Sequence, residues 1–353
     1  MQHAPQRVTP SPPVPPLPRV LLLQENDATG GVNAMIEELQ YGLRSLGWNH
    51  LQVETLSHTS PWALMRAAWR CDVIVATNNF RTAYVGWALG QVLGRHCLVW
   101  VHGPLQEVLA QSPASNTKQA ALRKLYRRIP SYVFNSAHTR HSFESFTGRL
   151  SSSTQAWVIP NAVRQNQWAA TCHDRTSAQV VELGYVGRLA REKSPQRLIA
   201  MLRLLPAQFR LTLVGDGPER IALQAASADL QAAGRLSFAG EKPRGAAIDT
   251  AWHMTVLASQ YEGGCPLSAL ESAAAGIPFV APPLPALQET VNGAAACLLA
   301  GDDTPEAMAQ AVLRVHGLTP ESIRLALDAV LSKHRPERFA RQWHDVLLQV
   351  GHR

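Results

Sequence analysis

VLLLQENDATGGVNAMIEELQYGLRSLGW, residues 20–48, is the stretch that decides the fold. Val20–Gln24 is a short apolar run. A polar turn carries the chain to Gly30 and Gly31. Apolar residues then recur at Val32, Met35, Ile36, Leu39, Leu43 and Leu46, at helical spacing, until Gly47. Asn49–Leu56 reads as the next strand, so the segment is a β-loop-α-β unit. The Gly30-Gly31 pair lets a ligand approach the backbone at a helix N-terminus, which favours an anion. A tight βα turn explains the same glycines. The spacing is not the dinucleotide GxGxxG loop.

The same alternation runs outward from this unit. Asp72–Ala76, His96–Val101, Tyr132–Asn135 and Trp157–Pro160 read as buried strands, with helices predicted over Tyr84–Val92 and 137–147. Residues 165–180 carry the weakest internal pattern. A second series follows, with strands at Val181–Val186, Arg210–Val214, Leu236–Ala239, Thr255–Ala258, Pro278–Ala281 and Ala296–Leu299. Its helices are predicted over 195–205, 218–230, 267–275 and 305–315, and a helical pattern over 320–350 closes the chain. Alternation of this kind predicts an α/β protein with two parallel sheets and helices on both faces. The expected division is a disordered Pro-rich segment 1–18, an N-terminal Rossmann-like domain 19–165, a linker 166–180, a C-terminal Rossmann-like domain 181–318, and a helix in 319–353 returning to the first domain.

Composition sets bounds on function. With 353 residues and 46% apolar residues, the chain can build two cores. The net charge of +7 is one-sided. Residues 1–170 hold 15 Lys/Arg against 8 Asp/Glu, and residues 171–353 hold 18 against 18. Such a field suits an anionic partner, although a solvated basic face would look the same. Five cysteines without a CxxC pair suggest neither a disulfide framework nor a zinc site, which fits a reducing compartment. The N-terminal residues lack the apolar core of a signal peptide. No apolar run is long enough to span a bilayer. The expected location is the cytoplasm, with peripheral contact at the inner face of its membrane.

Parallel sheets bind ligands beyond the carboxyl ends of their strands, and the informative residues follow strands. Gly187, Arg188 and Lys193 place cations on one βα loop, as a diphosphate requires when its charge grows. Gly215 lies in a second glycine-rich loop, LVGDGP (213–218), with a helix predicted from Pro218. Glu262, Gly263, Gly264, Cys265 and Pro266 form a third loop before the helix that begins at Leu267 and carries Glu271. Its open backbone and helix terminus suit a polar ligand. Two carboxylates here could accept hydroxyl hydrogen bonds, or serve as a general acid and base as in glycoside hydrolysis. The cationic loop argues against hydrolysis, which has no anionic leaving group to hold.

Taken together these segments resemble the GT-B glycosyltransferases of family 4, the retaining group 1 enzymes, over residues 20–345. VGRLAREK, LVGDGP and EGGCPLSALESAAAGIPFV carry the resemblance most strongly. TGGVNAMIEELQYGLRSLGW, VHGP, FNSAHTRHSF and VIPNAV support it. The resemblance implies two Rossmann-like domains facing each other across a cleft, with a C-terminal helix crossing back. It implies that Arg188 and Lys193 clamp the donor diphosphate, Glu271 binds the donor ribose, and Glu262 lies by the donor sugar. Gly31 would lie near the phosphates and acceptor, His102 near the transferred sugar, and Asn161 at the domain junction. Ser136 and Arg140 would face the cleft. Eight residues separate Glu262 from Glu271, where the family has seven, and Ala162 replaces a glycine.

The implied activity is retaining transfer of a hexose from a UDP- or GDP-sugar to a glycan or lipid-linked acceptor, in polysaccharide, lipopolysaccharide or glycoconjugate synthesis. The nucleotide sugar is a co-substrate, and neither a tightly bound cofactor nor a metal is expected. A basic run, Lys118, Arg123, Lys124, Arg127 and Arg128, is interleaved with Leu122, Leu125, Tyr126 and Ile129. On a helix it could meet an anionic membrane surface, or be an ordinary domain helix. A nucleotide-sugar epimerase of the same architecture, a phosphorylase and a noncatalytic scaffold are the alternatives. Nucleic acid is not expected, because the basic residues lack an aromatic platform.

Overall fold

The computed structural model describes residues 16–26, 30–111, 115–164 and 179–351. Six strands, β1 (Val20–Gln24), β2 (Leu51–Thr55), β3 (Val73–Ala76), β4 (His96–Val101), β5 (Ser131–Phe134) and β6 (Gln155–Val158), form a parallel sheet in the order β2-β1-β3-β4-β5-β6. Helices α1 (Gly31–Ser45), α2 (Pro61–Arg70), α3 (Arg81–Leu93), α4 (Leu105–Gln111), α5 (Asn116–Tyr126) and α6 (Ala137–Thr147) connect them. The strands β7 (Val181–Val186), β8 (Phe209–Val214), β9 (Leu236–Gly240), β10 (Met254–Val256) and β11 (Phe279–Val280) form a second parallel sheet, ordered β11-β10-β7-β8-β9. Its helices are α7 (Pro195–Leu204), α8 (Arg220–Ala226), α9 (Ala228–Ala232), α10 (Leu267–Ala274), α11 (Pro285–Gln288), α12 (Pro305–His316), α13 (Pro320–Leu331) and α14 (Pro336–Gly351).

The apolar runs are continuous because both faces of each sheet are covered. In β1, Val20 and Leu22 enter the core beneath α1, while Leu21 and Leu23 enter the core beneath α2 and α3. Residues 1–15, expected as disordered, lie outside the described residues, as does nearly all of the expected linker. Leu17, inside that expected disordered segment, instead packs on the N-terminal core, and Pro18 lies against Gly351.

Three expected elements differ. The helix over 218–230 is two helices. Buried Ser227 donates through Oγ to the Leu223 carbonyl at 2.7 Å and interrupts the backbone ladder. The strand at 296–299 is a 3-10 turn over Gly293–Leu298, and Leu299 alone bridges to Ala281. The terminal helical pattern divides into α13 and α14. Ile323, Ala326, Leu327, Val330 and Leu331 of α13 join the C-terminal core. Phe339, Trp343, Val346, Leu347 and Val350 of α14 join the N-terminal core beside Met35, Ile36, Leu39 and Leu43 of α1.

The turn between α13 and α14 pins the two halves together. Lys333 Nζ donates to the carbonyls of Glu289 (2.9 Å) and Thr290 (3.1 Å) and to Asn292 Oδ1 (3.2 Å). His334 meets the Asn161 carbonyl at 2.5 Å through Nδ1 and Thr290 Oγ1 at 3.3 Å through Nε2. Its own carbonyl accepts from Val163 N–H at 3.1 Å. Past the turn, α14 crosses α1 so closely that a side chain on Gly42 would come within 2.7 Å of Ala340 Cβ. Trp48 Nε1 donates to His344 Nδ1 at 2.9 Å. The Trp343 ring is fully buried, 4.7 Å from that of Trp100.

Trp343→Ala is therefore expected to destabilise the protein by about 3–5 kcal/mol, by emptying a site shared by α14 and the first sheet. Urea unfolding measures it. Burial also pushes the His334 imidazole down to about 4, with help from the charges of Lys333 and Arg338. The folded state thus holds the neutral ring. The stability this confers is complete above the unfolded pKa near 6.5 and falls as pH drops toward 4. The span corresponds to about 3 kcal/mol. His334→Gln is expected to flatten the stability-against-pH curve in this window, and an unchanged slope would contradict the assignment.

Candidate functional site

The carboxyl ends of the two sheets meet across a cleft. On the N-terminal side, β1 leads to Gly30, where an added Cβ would find open space, and Gly31 begins α1. His102 follows β4, and Asn135 and Ser136 follow β5. The His102 ring lies 4.4 Å from that of Trp100, and its Nε2 is buried with no partner. Burial pushes its pKa down to about 3, so the ring is neutral near pH 7. Ser136 caps α6, accepting from Thr139 N–H at 2.9 Å.

On the C-terminal side, loops after β7 and β8 are joined by backbone bonds. Gly187 N–H donates to the Val214 carbonyl at 3.0 Å, and Leu189 N–H to that of Asp216 at 2.9 Å. A side chain at Gly187 would lie 2.7 Å from the Tyr185 hydroxyl, which itself donates to the Arg188 carbonyl at 3.0 Å. Gly215 has φ +131°, and a Cβ there would strike the Gly187 carbonyl. The Arg188 side chain is exposed and has no ion pair among the described residues. Lys193 closes a 3-10 turn and pairs with the Glu262 carboxylate, which also accepts from Ser259 Oγ at 2.6 Å. The next residue, buried Ser194, has φ 45°, a strained backbone for a residue bearing Cβ.

The third loop joins the two sides. The Gly263 carbonyl accepts from both Ser136 Oγ and Thr139 Oγ1. A side chain on Gly263 would overlap the His102 carbonyl oxygen, and one on Gly264 would lie 3.2 Å from Asn135 Nδ2. That amide donates to the His102 carbonyl at 2.8 Å. Cys265 is buried, and its carbonyl accepts from Asn161 Nδ2 at 3.4 Å. Pro266 precedes α10, and Leu267 at its start touches both cores and faces Gly31. Glu271, one turn into α10, accepts from Arg244 Nε at 2.9 Å.

His102, Lys193, Glu262, Gly263, Gly264, Cys265, Leu267, Gly31, Asn161 and Ser136 thus form one connected group. Arg188, Gly187 and Gly215 form the adjoining C-terminal wall. Arg140 pairs with Glu144 at 2.9 Å, one turn along α6. Of the basic run on α5, Arg123 donates to the Phe146 carbonyl (2.9 Å) and Arg127 to that of Thr147 (2.8 Å), so both cap the end of α6. Leu122 and Tyr126 face the core.

Sequence reading missed several bridging residues. Arg244 also reaches the Ala34 carbonyl at 3.3 Å and Glu37 at 3.7 Å, tying Glu271 to α1. Glu289 accepts from the N–H groups of Ala137 (2.8 Å) and His138 (2.5 Å), so a carboxylate from the second sheet's side caps α6 of the first. Neither residue carries a local signal. Asn135 had one, as a polar residue at the carboxyl end of a buried strand. The buried atoms without a partner include His102 Nε2, Asn135 Oδ1 and Asn161 Oδ1, all beside the third loop. Buried polar atoms of this kind are ones that a bound polar group can satisfy. Among the described residues no group of His, Cys, Asp and Glu is arranged to hold a metal.

Residues 181–317 match the family described as glycosyl transferases group 1. A 2-deoxystreptamine glucosyltransferase from Streptomyces kanamyceticus is 34% identical over 140 residues, a match spanning 38% of this chain and 35% of that protein. Among solved structures, HepE of Anabaena in complex with UDP superposes with a TM-score of 0.75 at 19% identity, covering 94% of this chain and all of that one. Sucrose-phosphate synthase from Thermosynechococcus elongatus gives 0.73 at 21% identity over 94% of this chain and 98% of that one. The chain has the GT-B fold, and the stretch that resembles the group 1 glycosyl transferases lies in its second half.

Gly263→Ala is expected to push the loop off the His102 carbonyl and cost about 1–3 kcal/mol. Gly264→Ala, whose nearest neighbours are the Asn135 amide at 3.2 Å and the Asn135 carbonyl oxygen at 3.3 Å, should cost less. Equal urea midpoints for the two variants would contradict this packing.

Proposed function

We propose that this chain is a retaining glycosyltransferase that moves a hexose from a UDP- or GDP-sugar to a hydroxyl of a glycan or lipid-linked acceptor. The observation that carries the reading is Arg188, an exposed cation without an ionic partner among the described residues, on a strand-end loop where Gly187 and Gly215 pack backbone to backbone. Lys193 stands near it on the same loop. These two cations would hold the diphosphate. Glu271 would turn from Arg244 to the ribose hydroxyls. The N–H groups of the Gly263–Cys265 loop, with His102 and Asn135, would hold the hexose. A neutral His102 ring suits a hydroxyl better than a phosphate.

In the proposed step the acceptor oxygen bonds to the anomeric carbon on the face from which the diphosphate leaves. The bond from that carbon to the diphosphate oxygen breaks, and the acceptor proton passes to the departing diphosphate. The sugar crosses an oxocarbenium-like state. Arg188 and Lys193 stabilise the charge that grows on the leaving group. No metal has a role in this scheme. The acceptor would approach from the N-terminal side, past Gly30 and Gly31, from a peripheral position at an anionic membrane. Polysaccharide or lipopolysaccharide assembly is the setting such chemistry serves. Among the described residues no helix is long and apolar enough to cross a bilayer.

Calorimetry with UDP-, GDP- and ADP-sugars tests the donor. Arg188→Ala is expected to lose about 2–4 kcal/mol of transition-state stabilisation, roughly thirty- to a thousand-fold in kcat/KM, and to bind the diphosphate more weakly. Equal binding by this variant would refute the assignment. Nuclear magnetic resonance of the product should show the anomeric configuration of the donor.

A further inference from the structure

Helix α2 presents an outward face that the site does not use. Trp62 is 85% exposed, Trp69 65% and Met65 37%. At helical spacing Trp62 and Trp69 point within about 20° of each other, and Met65 stands about 60° to one side. Arg66 and Arg70 follow on the other side. Leu64, Ala67 and Ala68 form the opposite, buried face. The helix contains no acidic residue, and neither arginine has an ion pair among the described residues. Glu54 of the edge strand β2 shares a groove of about 470 Å³ with Trp62, Arg66 and Arg70. Its carboxylate already accepts from Gln52 Nε2 (2.7 Å) and Thr59 Oγ1 (2.8 Å).

Two exposed tryptophans and a methionine cost free energy in water unless something covers them. An aromatic face edged by arginines suits the boundary between lipid headgroups and acyl chains. The basic excess of the N-terminal half supplies the complementary charge for an anionic sheet of headgroups. Position agrees. Helix α2 follows the carboxyl end of β2, and β2 pairs in register with β1, Gln24 opposite Thr55. The Trp62 end of the helix therefore lies at the same carboxyl edge of the sheet as Gly30 and Gly31, on the opposite face from α1.

We propose that the outer face of α2 is a docking surface for an anionic phospholipid bilayer, with Trp62, Met65 and Trp69 entering the interface and Arg66 and Arg70 contacting headgroup phosphates. Docked this way, the cleft opens beside the lipid surface. The proposal rests on the lipid-linked acceptor reading for its purpose, while its test needs neither donor nor acceptor.

The test is cosedimentation of the full chain with vesicles of phosphatidylcholine alone, or with a third of phosphatidylglycerol. The protein should sediment with the anionic vesicles and remain free of the neutral ones. Trp62→Ser with Trp69→Ser should weaken binding about ten-fold or more. Arg66→Gln and Arg70→Gln should weaken it about five-fold each, and high salt should erase that part. Replacing Lys118 and Lys124 of α5, together with Arg128 just beyond its end, by Gln should leave binding largely intact. Thermal unfolding confirms that each variant is folded, and UDP calorimetry reports on the donor site separately. Absence of sedimentation by the unaltered protein would overturn the proposal. So would equal binding by the tryptophan variant, or a dimer that depends on Trp62 and Trp69 and binds no vesicles.

Discussion

The cleft depends on one close approach, the seating of Gly263 against the ends of β4 and β5. Its carbonyl takes two hydroxyl donors from α6, and its α-carbon presses where any side chain would meet the His102 carbonyl. From this contact the rest of the site follows. The loop fixes the start of α10 and so places Glu271. It sets Glu262 within reach of Lys193, and it brings Asn135, Asn161 and His102 to one place. A polar backbone group buried at a domain boundary must find partners, and Ser136 and Thr139 supply them.

Around this seat the two halves are held by polar contacts at their rims and by a helix at their back. Glu289 caps α6, Arg244 reaches α1, and Lys333 and His334 lock the turn before α14. These contacts are polar and few, while the cores on either side are apolar and extensive. Domains joined this way can rotate without breaking their cores. Such rotation would part Arg244 from the Ala34 carbonyl and Glu37, and Glu289 from α6, while the Arg244–Glu271 and Lys193–Glu262 pairs, each within the second half, would move as units.

Much of the candidate site's placement at strand ends was legible in the chain. Gly187, Gly215 and Gly263 stand after buried strands, where a parallel sheet opens to ligands, and their spacing announces loops rather than strand interiors. The helices were legible wherever an apolar stripe recurred, but the breaks at Ser227 and near Lys333 were not. A single side-chain bond or a turn docked on another element interrupts a helix without altering its apolar period. The basic run on α5 shows the opposite limit. Its stripe was readable, yet Arg123 and Arg127 turned out to cap α6, because a charge pattern does not say which carbonyls lie within reach. Leu17 packs for a similar reason, since α14 returns to offer it a surface.

The sequence by itself determined the alternation of strands and helices, hence two parallel sheets with ligand loops at their carboxyl ends. These follow from local periods and from backbone freedom at glycine. Only the tertiary structure decided which loops meet. Ser136 and Gly263 are 127 residues apart, and Glu289 caps a helix about 150 residues before it. Contacts of that separation depend on how α14 packs across α1 and how the two cores orient. That is a property of assembled surfaces, which no short stretch of chain contains.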